Sequence, residues 1–217
     1  MNILHISDLH LETEESDVPI KLGDKIDEVL SDLGKEFYPD VLLVTGDFTN
    51  TGNPLEFNTA KEVLEDFKNY ESLKCIKNSV LVPGNHDYIW FDNTKPVTEK
   101  QKIVNYKNFV NNIFFGKCEV ENQALKTELD KNMIQYSCME LDNSNKAVLL
   151  IGMNSMQIDS YERKGQGFFS IAQTKLVKKL IDYYKNLQGR ELILLVAFHH
   201  HIVPVSVVER ETYEDPS

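Results

Sequence analysis

Short apolar runs alternate along this chain with segments whose apolar residues recur at helical spacing. The run NILHIS (2–7) is typical of a short strand, and KIDEVLSDLGKEF (25–37) predicts a helix. DVLLVTGD (40–47) is apolar, β-branched and bounded by proline and glycine, which predicts a second strand. The order of these three segments predicts a βαβ unit at the start of the chain.

A second helix and a third strand are predicted next. Asn53 precedes Pro54, and Glu56 follows three positions after Asn53, which is the pattern of a capped helix start. The apolar face of this helix consists of Phe57, Ala60, Leu64 and Phe67. NSVLVPGN (78–85) is predicted to be a strand that ends in a turn, and KIVNYKNFVNNIFF (102–115) to be a helix.

The second half of the chain predicts a strand pair, a helix and a last strand. MIQYSCMELD (133–142) and KAVLLIGMNS (146–155) are joined by three turn-forming residues. Ser170 and Gln173 have the spacing of a capping box before a helical pattern, and ELILLVAFHHH (191–201) predicts the final strand. This alternation favours an α/β fold, with residues 1–217 forming one domain.

Composition narrows the class of protein. The 217 residues are 41% apolar, which is enough for one large core, and the formal net charge of −11 disfavours extended binding to nucleic acid. No segment is as long and apolar as a membrane span, and the N-terminus does not resemble a signal peptide. The three cysteines are widely spaced, so neither a disulfide framework nor a zinc knuckle is predicted, and a reducing cytoplasm fits this usage.

Four of the predicted strands end in polar residues that can bind metal ions. The clusters are Asp8-Leu9-His10, Gly46-Asp47, Gly84-Asn85-His86-Asp87 and His199-His200-His201. Each cluster alone is compatible with an ordinary turn, but ligand sites gather at the carboxyl ends of strands, where these four could converge. The two glycines leave room for close backbone approach. Oxygen and nitrogen donors without cysteine suit Mn²⁺, Fe or Zn²⁺ better than Ca²⁺.

These motifs resemble the successive motifs of the calcineurin-like metallophosphoesterases, from residue 3 to about residue 204. Within that superfamily, GDFTNTGNPLEF (46–57) and FHHHIVPV (198–205) are similar to the bacterial cyclic-nucleotide and glycerophosphodiester phosphodiesterases, although His201 stands where a proline is usual. The resemblance implies a four-layer αββα sandwich. It also implies a metal-dependent phosphodiesterase or phosphatase, whose substrate would be a small phosphoester such as a nucleotide.

The resemblance further implies a site for two divalent metal ions, with manganese expected first and iron or zinc as alternatives. Asp8 and His10 would hold one ion, and Asn85 and His199 would hold the other. Asp47 would bridge both ions, because two cations that close together need an anion between them.

Three further residues have roles that the resemblance implies outside this ligand set. His86 would contact the scissile phosphoryl group or protonate the leaving oxygen, and Asp87 would orient the ring of His86. His200 would lie behind the ligands or on the substrate side. Tyr88, Trp90 and Phe91 are either a contact for a base or leaving group or part of the packing at the domain edge.

One expected motif is absent from the chain. The family normally has a Gly-His-x-His motif after the segment matched by His199, and all six histidines lie elsewhere. Either these 217 residues are the front part of a longer protein or the site is naturally incomplete. We favour the first, in which the last strands of the fold, and any further domains, would follow C-terminal to this segment.

Two other functions remain as alternatives at this point. A repair-type DNA nuclease of the same superfamily shares the HISDLH opening but would be expected to have a basic surface. A non-catalytic scaffold with the same fold need not keep its ligands, yet the ligand residues are present here.

Overall fold

The computed structural model describes residues 1–12, 22–92, 95–113, 120–156 and 165–201. Within these residues the strands are β1 (Ile3–Ile6), β2 (Val41–Thr45), β3 (Asn78–Val82), β4 (Phe91–Asp92), β5 (Lys95–Pro96), β6 (Gln135–Glu140), β7 (Lys146–Gly152) and β8 (Glu191–Ala197). The helices are α1 (Leu22–Leu33), α2 (Pro54–Asp66), α3 (Glu99–Lys102), α4 (Val104–Asn112), α5 (Gln123–Lys131) and α6 (Ile171–Gln188).

The strands form two three-stranded sheets and one short hairpin. In the first sheet β1, β2 and β3 are parallel, with Ile3 opposite Val41 and Val41 opposite Asn78. In the second sheet β6 and β7 are antiparallel, and β8 runs parallel to β7 at the other side. Since the first sheet is fully parallel, the carboxyl ends of its three strands lie at one edge.

The two sheets pack face to face and each is covered by helices on its outer side. Val80, Val82 and Leu150 lie in the apolar layer between the sheets. Neighbouring side chains of β7 point to opposite faces, so Leu149 and Ile151 belong to the core beneath α5 and α6. A third core joins the first sheet to α1, α2 and α4. The predicted αββα sandwich is confirmed for the described residues.

The strands and most helices agree with the predictions from the sequence, and the differences have local causes. The helix predicted for residues 25–37 is α1, which ends at Leu33, because Gly34 has a φ of +109°. The helix predicted for 102–115 is divided into α3 and α4 at Ile103, and its last two residues lie outside the described ranges. The short hairpin β4–β5 and α5 were not predicted; α5 is only nine residues long and has only three apolar residues, Ala124, Leu125 and Leu129.

The two predicted capping patterns have different outcomes. At α2 the capping box is complete, because the Asn53 side chain accepts from the backbone of Leu55 and Glu56 accepts from the N–H of Asn53. At α6, Ser170 accepts from the N–H of Gln173, but the Gln173 side chain donates to the carbonyl of Asn154 instead. In the described part of the chain, no helix has both the length and the apolar character that crossing a membrane would need.

Candidate metal centre

The loops that follow β1 and β2 continue to pair beyond the sheet. The N–H of Asp8 donates to the carbonyl of Gly46 at 3.1 Å, and the N–H of His10 donates to the carbonyl of Asp47 at 2.9 Å. Asp8, His10 and Asp47 all have positive φ values, of 56°, 45° and 52°. Residues with side chains rarely adopt this conformation, and it is found preferentially at functional sites. Both loops therefore turn sharply at the residues predicted to be ligands.

Two glycines allow the loops after β2 and β3 to touch. Gly46 has a φ of +90°, and a Cβ at this position would lie 2.6 Å from Nδ1 of His199. A Cβ on Gly84 would overlap the carboxylate of Asp47. The close backbone approach predicted for these two glycines is confirmed. It places the side chain of Asp47 against the loop that follows β3.

The carboxylate of Asp47 lies at the centre of the site. Its Oδ2 atom is 3.6 Å from Nε2 of His10 and 3.4 Å from Nε2 of His199, and its side chain is only 5% exposed. Two groups of three donors could each hold a metal ion, and both contain Asp47: one with His10 and His86, the other with Asp8 and His199. Within each group the donor atoms lie within 4.8 Å of one another. Asp47 is thus shared, as a bridging residue would be.

The other possible ligands also lie around Asp47, but they form two groups that differ from the expected ones. We expected Asp8 beside His10, and these side chains approach to 4.0 Å, but in the structure Asp8 also groups with His199. Oδ1 of Asn85 lies 3.3 Å from Nε2 of His199, as expected for ligands of one ion. His86 was expected outside the ligand set, yet it lies within ligand distance of His10 and Asp47. All five expected ligands therefore lie close together, and His86 lies among them although it was not expected to be a ligand.

Backbone carbonyls orient the imidazoles of two histidines. Nδ1 of His199 is 2.8 Å from the carbonyl oxygen of Thr45, and Nδ1 of His86 is 2.7 Å from that of Asn50. A carbonyl oxygen can only accept, so Nδ1 carries the hydrogen in both rings. The Nε2 atom of each ring is then the one that can offer a lone pair to a metal ion or accept a proton from a substrate.

Asp87 does not make the contact expected from the sequence. Its carboxylate is fully buried and accepts hydrogen bonds from the N–H of Gly84 at 2.9 Å and of Thr49 at 3.1 Å. The carbonyl of Asn50 takes the place that we expected Asp87 to have beside the ring of His86. Burial raises the pKa of Asp87 to about 7, and the charge of Asp47 adds to this, while the hydrogen bonds partly oppose it. Asp87 therefore fixes the loop that presents His86.

Asp47 and His199 form a largely buried ion pair. Burial lowers the pKa of His199, but the hydrogen bond and charge of Asp47 outweigh it and raise this pKa to about 9. Burial likewise raises the pKa of Asp47, but the contacts with His199 lower it overall. A cation that binds Nε2 of His199 must displace the proton held there, so metal binding at this residue releases a proton.

The remaining histidines lie around this centre. His200 is buried, its Nδ1 is 2.8 Å from Oγ of Ser155, and its ring packs edge-on against His199 at 5.0 Å between centroids. Of the two places considered for His200, behind the ligands or on the substrate side, these contacts favour the first. His5 lies within β1 with its Nε2 2.8 Å from Oγ1 of Thr45, and His201 is exposed at the end of the described residues.

Two residues that support the site were not found from the sequence. Asn50 acts through its backbone carbonyl, which every residue has, so no residue type could have indicated it. Ser155 follows β7 and contacts His200 because β7 and β8 are parallel neighbours whose carboxyl ends lie side by side. Neither residue stands out in the sequence, and only the fold brings them to the histidines.

The geometry can be compared with known proteins. The sequence matches the family model for the calcineurin-like phosphoesterases over residues 1–208. The chain belongs to this family. The fit extends to the donor chemistry, because one buried carboxylate shared by two groups of oxygen and nitrogen donors suits a pair of divalent cations. The metal-binding hydrolase predicted from the motifs is confirmed at the level of the family.

Individual relatives are more distant. The chain is 34% identical over 92 residues to the glycerophosphodiester phosphodiesterase GpdQ of Enterobacter lignolyticus (strain SCF1). That alignment covers 40% of this chain and 30% of the length of GpdQ. Among solved structures, a dimetal phosphatase from Danio rerio is 10% identical, with a TM-score of 0.42 over 89% of this chain and 68% of that chain.

Proposed function

We propose that this chain hydrolyses small phosphodiesters with two divalent metal ions held around Asp47. The observation that carries the proposal is the sharing of one buried carboxylate by two groups of donors. Two cations roughly 3.5–4 Å apart repel each other strongly unless an anion lies between them. Asp47 supplies that anion, since its lowered pKa keeps it ionised at neutral pH.

The remaining ligands are assigned by their contacts. We assign Asp8 and His10 to one ion and Asn85 and His199 to the other, because the members of each pair lie within 4.0 Å of each other. The donors are oxygen and nitrogen atoms, and manganese is the ion that we propose first. When bound, such ions lower the pKa of a water molecule and neutralise phosphoryl oxygens.

His86 is proposed to act on the substrate. Its Nδ1–H is held by the carbonyl of Asn50, which leaves Nε2 facing the donors around Asp47. From there Nε2 can contact a phosphoryl oxygen or, when protonated, give its proton to the leaving oxygen. The side chains of Asp8 and His10 are 56% and 40% exposed, so the centre is open to solvent on their side. A phosphoester can therefore approach the centre from that side.

The substrate that we propose is a small molecule and not a nucleic acid. The net charge of −11 would repel an extended polyphosphate backbone. The similarity to a glycerophosphodiester phosphodiesterase supports a diester over a monoester. A cyclic nucleotide is the diester that we place first, and the repair-type nuclease is disfavoured by the same acidic balance.

The experiment that tests this function is the substitution Asp47→Asn. The amide keeps an oxygen that can accept from the N–H of His86, but it removes the charge between the two cations. We expect the manganese content to fall below two ions per chain and hydrolysis of bis-p-nitrophenyl phosphate to fall on the order of 10³-fold or more. Metal content is measured by mass spectrometry of the purified protein and turnover by release of p-nitrophenol.

The control is Asp32→Asn, which makes the same chemical change on the exposed surface of α1. It should change neither metal content nor turnover. Hydrolysis by the unaltered chain that is equally fast without divalent metal, or an Asp47→Asn variant with two tightly bound ions and normal turnover, would show that the proposal is wrong.

The same assay decides the role of His86. If His86 acts on the substrate, His86→Ala leaves both ions bound while turnover falls by roughly 10²–10⁴-fold. Loss of one ion would instead make it a ligand, in agreement with its short distance to His10 and Asp47.

A further inference from the structure

A cleft of about 250 Å³ opens beside the proposed metal centre. Asn85 and His86 line the side that faces the centre, and Trp90, Phe91, Asn50 and Thr51 line the rest. A phosphoryl group at the metal centre would therefore have one of its ester substituents directed into this cleft. We propose that the cleft takes a planar aromatic ring of the substrate and that Phe91 determines this specificity by stacking against it. The inference rests on the proposed function and names a substituent that its substrate would carry.

The exposure of the aromatic side chains supports this inference. Phe91 is 46% exposed, whereas its neighbours Tyr88 and Trp90 are 5% and 9% exposed. The exposed part of the Phe91 ring is apolar surface that a ligand in the cleft can cover. Phe91 is also the first residue of β4 and pairs with Pro96 of β5, so its backbone is held by a hairpin. The ring is thus presented from a fixed position at the rim of the cleft.

Contacts of Trp90 hold the side of the cleft behind Phe91 and connect it to a proposed metal ligand. Nε1–H of Trp90 donates to the carbonyl of Asn85 at 3.2 Å, and the ammonium of Lys102 lies 4.8 Å from the centre of the Trp90 ring. The rings of Tyr88 and Trp90 stack with their centroids 6.2 Å apart. Because Trp90 bonds to the backbone of a proposed ligand, the distance between the cleft and the metal centre is fixed.

The opposite side of the cleft is polar and equally well held. Thr51 donates through its N–H and its hydroxyl to the carboxylate of Glu56, at 2.9 Å in each case. The amide of Asn50 donates to Glu12 at 3.0 Å. One aromatic face opposite fixed polar groups suits a flat ring with polar edges better than a flexible alkyl chain.

The size of the cleft limits the ligand further. Pockets for drug-sized molecules measure roughly 300–1,000 Å³, so a cleft of about 250 Å³ accommodates one ring system and little more. A single ring system, carried by the ester that lies at the metal centre, is consistent with the small-molecule substrate proposed above.

The test compares two phosphates of similar size that differ in the planarity of their ring. Binding of phenyl phosphate and cyclohexyl phosphate to the manganese-loaded chain is measured by calorimetry, at a pH where both are dianions. We expect phenyl phosphate to bind about 3- to 10-fold more tightly, which corresponds to the usual contribution of an aromatic pair. Phe91→Ala and Phe91→Leu should both abolish this preference, since leucine keeps apolar surface but offers no flat face.

The matched control is Phe37→Ala. Phe37 is 50% exposed and lies in the short 3-10 turn before β2, at the end of the strand away from the metal centre. This variant should keep the full preference for the planar ring. Equal affinity for the two phosphates in the unaltered chain, no binding of either phosphate, or a preference that persists in both Phe91 variants would overturn the inference.

Turnover separates this inference from the proposed function. The calorimetry does not depend on catalysis, so it reports on the cleft even if the chain is inactive. An active, metal-dependent chain without ring preference would leave the proposed function intact and remove only the role of Phe91. A chain that prefers phenyl phosphate but does not hydrolyse a diester would support the role of Phe91 and show that the proposed function is wrong.

Discussion

The strands β2 and β8 both lead into the candidate metal centre, but one is buried and the other is partly exposed. Both are apolar in sequence, but Val41, Leu42 and Val44 of β2 are completely buried, whereas residues 193–196 of β8 are 36–48% exposed. β2 lies between two strands, while β8 pairs with β7 alone in the described part of the chain. An apolar run therefore predicts a strand, but its burial depends on the position of that strand in the sheet.

This difference affects how firmly each side of the site is held. Asp47 follows a central strand, and its loop is clamped by Gly84 and by the pairing with His10. His199 follows an outer strand, and its ring is held by a hydrogen bond to Thr45, which belongs to the first sheet. The position of His199 therefore depends on contact between the sheets, while the backbone of Asp47 is held by loops of the first sheet.

The largest effect is expected from a substitution that displaces the loop carrying Asp47. In Gly84→Ala the new Cβ would overlap Asp47, so the loop must shift and the proposed bridging carboxylate must move. We expect metal binding to be lost and turnover to fall on the order of 10³-fold or more. Metal content and hydrolysis of bis-p-nitrophenyl phosphate measure both effects.

Gly165→Ala is the control for this substitution. A Cβ at Gly165 meets nothing within 4 Å, so the variant should keep its metal and its turnover. If Gly84→Ala behaved like Gly165→Ala, the close approach of the two loops would not be needed for the site.

An intermediate effect on stability is expected when a buried leucine of β2 and an exposed leucine of β8 are each replaced by alanine. Leu42 is 0% exposed and Leu194 is 40% exposed. Leu42→Ala should lower the free energy of unfolding by about 2–5 kcal/mol, because it leaves a cavity, and Leu194→Ala by less than about 1 kcal/mol. Equilibrium unfolding in urea gives both values. Equal losses would mean that β8 is covered in solution by something outside the described residues.

The smallest effects are expected at the helices that cover each sheet. Asn53 caps α2 over the first sheet, and Ser170 caps α6 over the second. Asn53→Ala and Ser170→Ala should each cost about 1 kcal/mol of unfolding free energy, since each removes one cap hydrogen bond. Thermal unfolding followed by circular dichroism measures the loss. A much larger loss for Ser170→Ala would indicate that the second sheet depends on its helix more than the first.

Much of the fold could be predicted because its signals are local. The strand patterns, the capped start of α2 and the glycines next to the ligands each depend on residues within a few positions of one another. The short hairpin β4–β5 gave no such signal, since two-residue strands are too short for periodicity. The helix α5, which is short and has few apolar residues, was missed, and the end of α1 at Gly34 was misplaced.

The sequence by itself determined the chemistry of the site. It placed carboxylates, an amide and imidazoles after four strand patterns, and the alternation of the first three strands with helices predicts a parallel sheet whose strand ends lie together. The residue types, and the order of strand and helix patterns along the sequence, are present before the chain folds. The family, the sheet edge that forms the site and Asp47 at its centre follow from them.

The tertiary structure alone decided how those side chains are oriented. The ring of His86 is fixed by the carbonyl of Asn50, which lies 36 residues earlier, while Asp87 turns to Gly84 and Thr49. A backbone carbonyl is the same in every residue, so nothing in the sequence marks the one that will meet a histidine. The exposure of β8 is also decided by tertiary structure, because the burial of a strand depends on what packs against it.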